Sequence, residues 1–112
     1  MEYKTLFGQL FSKFELPVVI GSFDDDEVPT FPFIEYHRTT PDYTHADDKS
    51  YIRTDNWEFS IYALKKDAPE YWELCDAVES ELLEMEVDNE RTGDNFVDND
   101  VVFTTFSLSL TR

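Results

Sequence analysis

From Tyr51 to Leu64 the chain alternates with a period of two, and a second alternation runs from Val101 to Leu110. In the first, Tyr51, Arg53, Asp55, Trp57, Phe59, Ile61 and Ala63 fall on one side. Ile52, Thr54, Asn56, Glu58, Ser60, Tyr62 and Leu64 fall on the other. In the second, Val102, Thr104, Phe106, Leu108 and Leu110 share one side, and Phe103, Thr105, Ser107 and Ser109 the other. Successive strand residues point to opposite faces, so each run reads as a strand with one face on a core. The first half of the Tyr51–Leu64 run is polar on both sides. That half is expected to project beyond the core.

Between the two runs lies a helical pattern. Tyr71, Cys75, Val78, Leu82 and Met85 recur at steps of three and four, with Leu74 and Leu83 widening the stripe. Asp67 with Glu70 three residues on suggests a capping box, and Pro69 suits a first turn. Glu70, Glu73, Asp76 and Glu84 form an acidic outer face. A second helix is predicted near the start, where Tyr3, Leu6, Phe7, Leu10, Phe11 and Phe14 recur at helical spacing. Gly8 inside it costs about 1 kcal/mol relative to alanine. Pro17 ends it, because the residue before a proline avoids helical angles. Val18 to Gly21 and Phe33 to Thr39 read as further strands. Phe33, Glu35 and His37 share one face of the latter, and Ile34, Tyr36 and Arg38 the other. Thr40 to Ser50 reads as a long loop, Asp88 to Asn95 as a polar connection, and an extra strand is open near Phe96.

The order α-β-β-β-α-β implies an α+β fold, a mainly antiparallel sheet with two helices packed on one face. A length of 112 residues suits one domain over residues 1–112, with 10 Phe, 6 Tyr and 2 Trp to fill its core.

Charge narrows the function. The chain carries 25 Asp plus Glu against 9 Lys plus Arg, a net of -16. Phosphate binding draws on clustered Lys and Arg, and the only basic doublet is Lys65-Lys66. Nucleic-acid or anionic-membrane binding is not expected. Self-repulsion at this charge weakens the compact state at low salt. No apolar run approaches a membrane span. Met1-Glu2-Tyr3-Lys4 does not open a signal peptide, so a cytoplasmic origin is expected. Cys75 is the single cysteine and reads as a small buried hydrophobe.

Motifs for chemistry fail one by one. A calcium loop needs alternating oxygen ligands and a glycine at its sixth position. Asp24 and Asp26 start such a pattern, but Val28 and Pro29 break it, and Asp94, Asp98 and Asp100 lack the glycine. Zinc needs closely spaced His and Cys, whereas His37, His45 and Cys75 fall on separate elements. Pro41-Asp42 with Asp47-Asp48-Lys49 outlines a metal-nuclease signature, but its parts are too close in sequence for successive sheet positions. There is no nucleophile elbow and no glycine-rich phosphate loop. No catalytic residue, metal or cofactor is expected, and the chain reads as a non-enzymatic interaction protein.

Several segments together resemble the small tail-terminator, or tail-completion, proteins of long-tailed phages, also described as minor capsid or head-tail joining proteins. Tyr3 to Phe14 followed by Leu16-Pro17-Val18 is similar to that family's short helix and first strand. Pro32-Phe33-Ile34-Glu35-Tyr36 resembles its PPFIVY-type strand, and Ala46-Asp47-Asp48-Lys49-Ser50-Tyr51 its ADNKVY-type segment. Trp57-Glu58-Phe59-Ser60-Ile61-Tyr62 and Lys66-Asp67 precede the long helix as in the family, and Val101 to Leu110 stands at the place of its closing strand. Asp24 to Glu27 and the acidic Asp94 to Asp100 depart from the pattern.

The resemblance implies a virion assembly protein, made in the host cytoplasm and placed at the tail-head junction. It would cap the finished tail tube as a hexameric ring, touching the tube protein and the head connector or stopper protein. DNA would pass its lumen without specific binding. Partner or lumen candidates are Asp24, Asp25, Asp26, Glu27, Asp47, Asp48, Lys49, Tyr51 and Arg53. Two other readings stay open: another head-tail connector component, and an acidic DNA mimic that inhibits a DNA-binding protein.

Overall fold

The computed structural model describes residues 3–20, 30–39, 42–46, 50–97 and 100–111. The element order is α1 (Tyr3–Phe14), β1 (Val18–Ile20), β2 (Phe33–Arg38), β3 (Asp42–Ala46), β4 (Ser50–Leu64), α2 (Ala68–Glu84), β5 (Asn89–Arg91), β6 (Asn95–Val97) and β7 (Val101–Thr111). A 3-10 turn, Lys65–Asp67, joins β4 to α2. The fold is α+β, with a seven-stranded sheet in the order β1-β2-β4-β7-β5, while β3 also pairs with β4 and β6 with β7. All pairings are antiparallel except β1 with β2.

β4 and β7 form the spine, in register from Thr54 opposite Thr111 to Leu64 opposite Val101. Residues that face each other across a ladder share a face. Trp57, Phe59, Ile61 and Ala63 therefore stand with Leu108, Phe106, Thr104 and Val102, and all eight are buried. Phe59 and Phe106 stack at 4.8 Å between ring centroids. Both helices cover this face. α1 inserts Leu6, Phe7, Leu10 and Phe11, and α2 inserts Tyr71, Cys75, Val78 and Leu82, into one continuous core. Phe7 meets Trp57 and Phe59 edge-on at 5.6 and 6.2 Å, and Tyr3 stacks on Trp57 at 4.4 Å. Each such aromatic contact adds about 0.5–1.5 kcal/mol beyond the area it buries.

The helix ends show how the backbone is held. α1 stops at Phe14, and Glu15 takes a left-handed φ of 51° with its N–H on Phe11 O at 3.1 Å. α2 ends in a Schellman turn. Val87 N–H bonds Leu82 O at 3.0 Å, Glu86 N–H bonds Leu83 O at 3.1 Å, and Glu86 has φ 58°. Val87 is buried at this turn, which redirects the chain into β5. The capping box at the other end does not form, because Asp67 makes no side-chain cap hydrogen bond. Asp67 instead belongs to the 3-10 turn, with φ -102° and ψ 23°, outside the extended region an N-cap usually occupies.

Three further expectations are corrected. Thr40 to Ser50 is not simply a loop, since Asp42–Ala46 is a strand laid antiparallel on Ser50–Thr54. The polar connection after α2 contains β5, paired from Asn89 opposite Leu108 to Arg91 opposite Phe106. Leu83 does not widen the buried stripe and is 64% exposed. The extra strand near Phe96 is β6.

Candidate functional site

Three surfaces lie outside the helix-covered core. The first is the arm. β7 reaches only to Thr54 and β2 only to Trp57, so Ser50 to Arg53 are paired by β3 alone. Thr39 continues the ladder toward the arm, giving both its N–H and its hydroxyl to Asn56 O, at 2.8 and 3.0 Å. β2 and β3 thus run along the same side of β4, and the final stretch is a two-stranded ribbon. Tyr51 and Arg53 sit in it, opposite His45 and Tyr43. The other candidates, Asp24, Asp25, Asp26, Glu27, Asp47, Asp48 and Lys49, lie outside the described residues.

The second surface is the sheet face away from the helices. Phe31, Phe33, Tyr62 and Phe103 form a row of rings across it, at 5.2, 5.0 and 5.0 Å between neighbours. Further along, Ser60 and Thr105 share a 2.8 Å hydrogen bond between hydroxyls. Then comes a group that the sequence half disclosed. His37 Nδ1 lies 3.0 Å from Glu35 Oε1, and its Nε2 lies 3.2 Å from Glu58 Oε2. Glu35 and His37 share a face by strand alternation, and Glu58 arrives because β4 sets it opposite His37. Glu35 is buried at 8% exposure. One carboxylate thus lies at each ring nitrogen, Glu35 from the histidine's own strand and Glu58 from the neighbouring one. A histidine with both nitrogens engaged offers none to a substrate, and through Glu58 the group links β2 to β4. Burial and the nearby Glu35 charge both push the Tyr62 hydroxyl's pKa up.

The third surface is the outer side of α2. Glu70, Glu73, Asp76 and Glu84 are exposed, as the sequence implies. Arg91 reaches over from β5 to Asp76 Oδ1 at 2.8 Å and Glu79 Oε2 at 3.1 Å. Partial burial opposes its charge, but the two carboxylates prevail and hold its pKa up. Trp72 is 48% exposed, with its Nε1–H donating to Asp94 Oδ2 at 2.7 Å. At the inner edge, Lys13 Nζ meets Glu81 Oε2 at 2.5 Å and links α1 to α2. That bond raises the lysine's pKa.

Inside the core, Cys75 is fully buried, and burial pushes its thiol's pKa up. A neutral buried thiol is a poor nucleophile. Burial likewise raises the Tyr71 hydroxyl, which is hydrogen-bonded to the Thr104 hydroxyl. A cavity of about 280 Å³ opens beside the start of α2, lined by Pro32, Leu64, Asp67, Glu70, Tyr71 and Leu74 among others. Among the described residues its polar side chains are two carboxylates and this bonded phenol. Among the described residues no three His, Cys, Asp or Glu side chains are grouped to hold a metal ion. No described helix is long and apolar enough to cross a membrane.

The sequence pattern missed two features of these surfaces. Glu58 joins the histidine only through cross-strand register. Trp72 and Leu83 are large apolar residues that α2 turns outward. No protein-family model matches the chain, and no curated protein matches it either.

Proposed function

We propose that this chain is a structural assembly protein that caps a phage tail tube as a ring and joins it to the head connector. The observation that carries the reading is the arm, a two-stranded ribbon running out of the sheet past the last rungs of β2 and β7. A two-stranded hairpin is marginal in water on its own, and its backbone edges are a template for pairing with another chain. Such an element gains its stability in an assembly. The long dimension supports the same reading: the chain measures 55 × 30 × 23 Å, with a radius of gyration of 15.4 Å. A domain of about a hundred residues normally has a radius near 13 Å. The segments that resemble tail-terminator proteins run through nearly the whole chain in order. A ring follows when a head-to-tail contact closes on itself, and the net charge of -16 would keep DNA from adhering to it.

The acidic face of α2 also favours a second reading, a mimic of the DNA backbone. That reading requires tight binding to a basic DNA-binding protein and needs no self-assembly. Electron microscopy of the chain mixed with tail tubes of its own phage separates the two. A ring seated on one tube end supports the proposal, and bare tube ends at saturating protein overturn it.

A further inference from the structure

The sheet ends in two edges. Among the described residues β1 pairs only with β2, and at the opposite edge β5 and β6 pair only with β7. Unpaired edges invite other chains, and proteins commonly defend them with charge. β5 is defended in this way, by Glu90 and Arg91. β1 and β6 are not. Val18-Val19-Ile20 and Asn95-Phe96-Val97 carry no charge, in a chain of which 30% is charged. Six large apolar side chains are exposed among the described residues, and four of them stand on these two strands: Val18, Ile20, Phe96 and Val97. Ile20 on β1 is 75% exposed, and Phe96 on β6 is 56% exposed. Lys65 Nζ stands 5.5 Å from the centre of the Phe96 ring and orders it.

The two edges match in face, direction and hydrogen bonding. Ile20 lies opposite Tyr36, which lies opposite Phe59, and Phe96 lies opposite Val102. Ile20 and Phe96 therefore both stand on the helix-covered face, and Val19 and Val97 on the other. Through the intervening ladders β1 and β6 run in opposite directions. Pro17 O accepts the Ile34 N–H at 2.8 Å, so the backbone groups of Val19 point to β2 and those of Ile20 point outward. Val97 O accepts the Asp100 N–H at 3.3 Å in the turn to β7, so the backbone groups of Phe96 point outward as well.

We propose that β1 of one copy adds antiparallel to β6 of the next and carries the sheet from subunit to subunit. Ile20 stands opposite Phe96 as a hydrogen-bonded pair, and Val19 stands opposite Val97. Each copy gives one edge and receives the other, so the contact is head-to-tail, the kind from which rings are built. A rotation axis along the strands keeps every copy in the same sense. It sets β1 against β6 antiparallel and places all the arms on one side of the ring. This inference rests on the ring reading and names the edges that join the subunits.

Cross-linking between copies tests it. The full-length double variant Ile20→Cys/Phe96→Cys is made, with both single variants and Val18→Cys/Phe96→Cys as controls. Thermal unfolding by circular dichroism establishes that each folds. A hydrogen-bonded antiparallel pair holds its Cα atoms about 5.5 Å apart, inside the roughly 4.4–6.8 Å that a disulfide spans. β1 and β6 lie at opposite edges of one chain, so the bond forms only between copies. Cys75 is buried and stays out of the reaction. Protein seated on tube ends is oxidised and run on a non-reducing gel, with rings followed by electron microscopy. The double variant should give a ladder of covalent multimers that stops at the closed ring. The single variants should give none. The Val18 control is offset by two residues, about 7 Å along the strand, and should give none either. Phe96→Lys, which returns a charge to the edge, should seat on tube ends about tenfold more weakly than the parent. Rings without a ladder, a ladder from any control, or a Phe96→Lys protein that seats as the parent does overturn the edge pairing and leave the ring reading in place. A parent that forms no ring on tube ends overturns both.

Discussion

Thr54 of β4 lies opposite Thr111 of β7, and this is the last rung that ties β4 to the body of the sheet on that side. Toward the chain start, β4 keeps only β3. Amide hydrogen exchange on the free chain should change across this rung. Residues 42–46 and 50–53 should exchange roughly hundredfold faster than Trp57 to Tyr62, since local opening of a ribbon is far less costly than opening the core. Equal protection on both sides would show that the ribbon is stabilised within the monomer, and the arm would lose its role as an unfilled contact.

Gly8 sits mid-helix in α1, and a Cβ added there would meet nothing within 4 Å. Gly8→Ala should raise stability by about 1 kcal/mol through backbone entropy alone. Urea denaturation should shift to a higher midpoint with an unchanged slope. A lower midpoint would mean that the glycine relieves a contact with a partner of α1.

Glu86 presents the opposite case. Its φ of 58° is the left-handed conformation at the end of α2. A residue with a Cβ is strained there by roughly 1–2 kcal/mol. Glu86→Gly should recover about 1 kcal/mol, also read by urea denaturation. The same residue type is thus expected to destabilise at position 8 and to stabilise at position 86.

Tyr71 and Cys75 make stability fall in alkali. Burial raises both groups above their ordinary values of 10.0 and 9.0. In the unfolded chain they lose protons near those values, while in the folded chain they keep them. The unfolded state then binds fewer protons, so unfolding becomes easier as pH rises. Their contribution is complete below about pH 9 and is lost progressively above it. Tyr71→Phe leaves the Thr104 hydroxyl without its partner and should cost about 1–2 kcal/mol at pH 7. The gap from the parent should narrow between pH 10 and 11 in urea titrations, where the phenol would otherwise ionise on unfolding. Parallel curves would contradict the assigned burial of that hydroxyl.

Legibility followed what each element rests on. α1 was legible because Leu6, Phe7, Leu10 and Phe11 write a helical period against one core, but it ends at Phe14, ahead of Pro17, where Glu15 turns left-handed. β7 and the second half of β4 were legible because one face is buried and the other is not. β3 was read as loop because Asp42 to Ala46 writes no apolar alternation in the sequence, and its place is set by its backbone ladder with β4. β5 was missed for the same reason, since Asn89-Glu90-Arg91 pairs through its backbone while its arginine serves α2. Leu83 was misplaced because the buried stripe of α2 is narrower than its apolar content. The pairing of His37 with Glu58 required register, which strand alternation alone leaves open.

The central claim is that the chain ends tube growth by occupying the tube's last ring. The most direct measurement is the polymerisation of the phage's purified tube protein, followed by electron microscopy of tube length with and without this chain. The account predicts that substoichiometric protein, one ring's worth per tube end, arrests elongation and leaves tubes capped at one end. Tubes that continue to lengthen at saturating protein, with no density added at their ends, would contradict it.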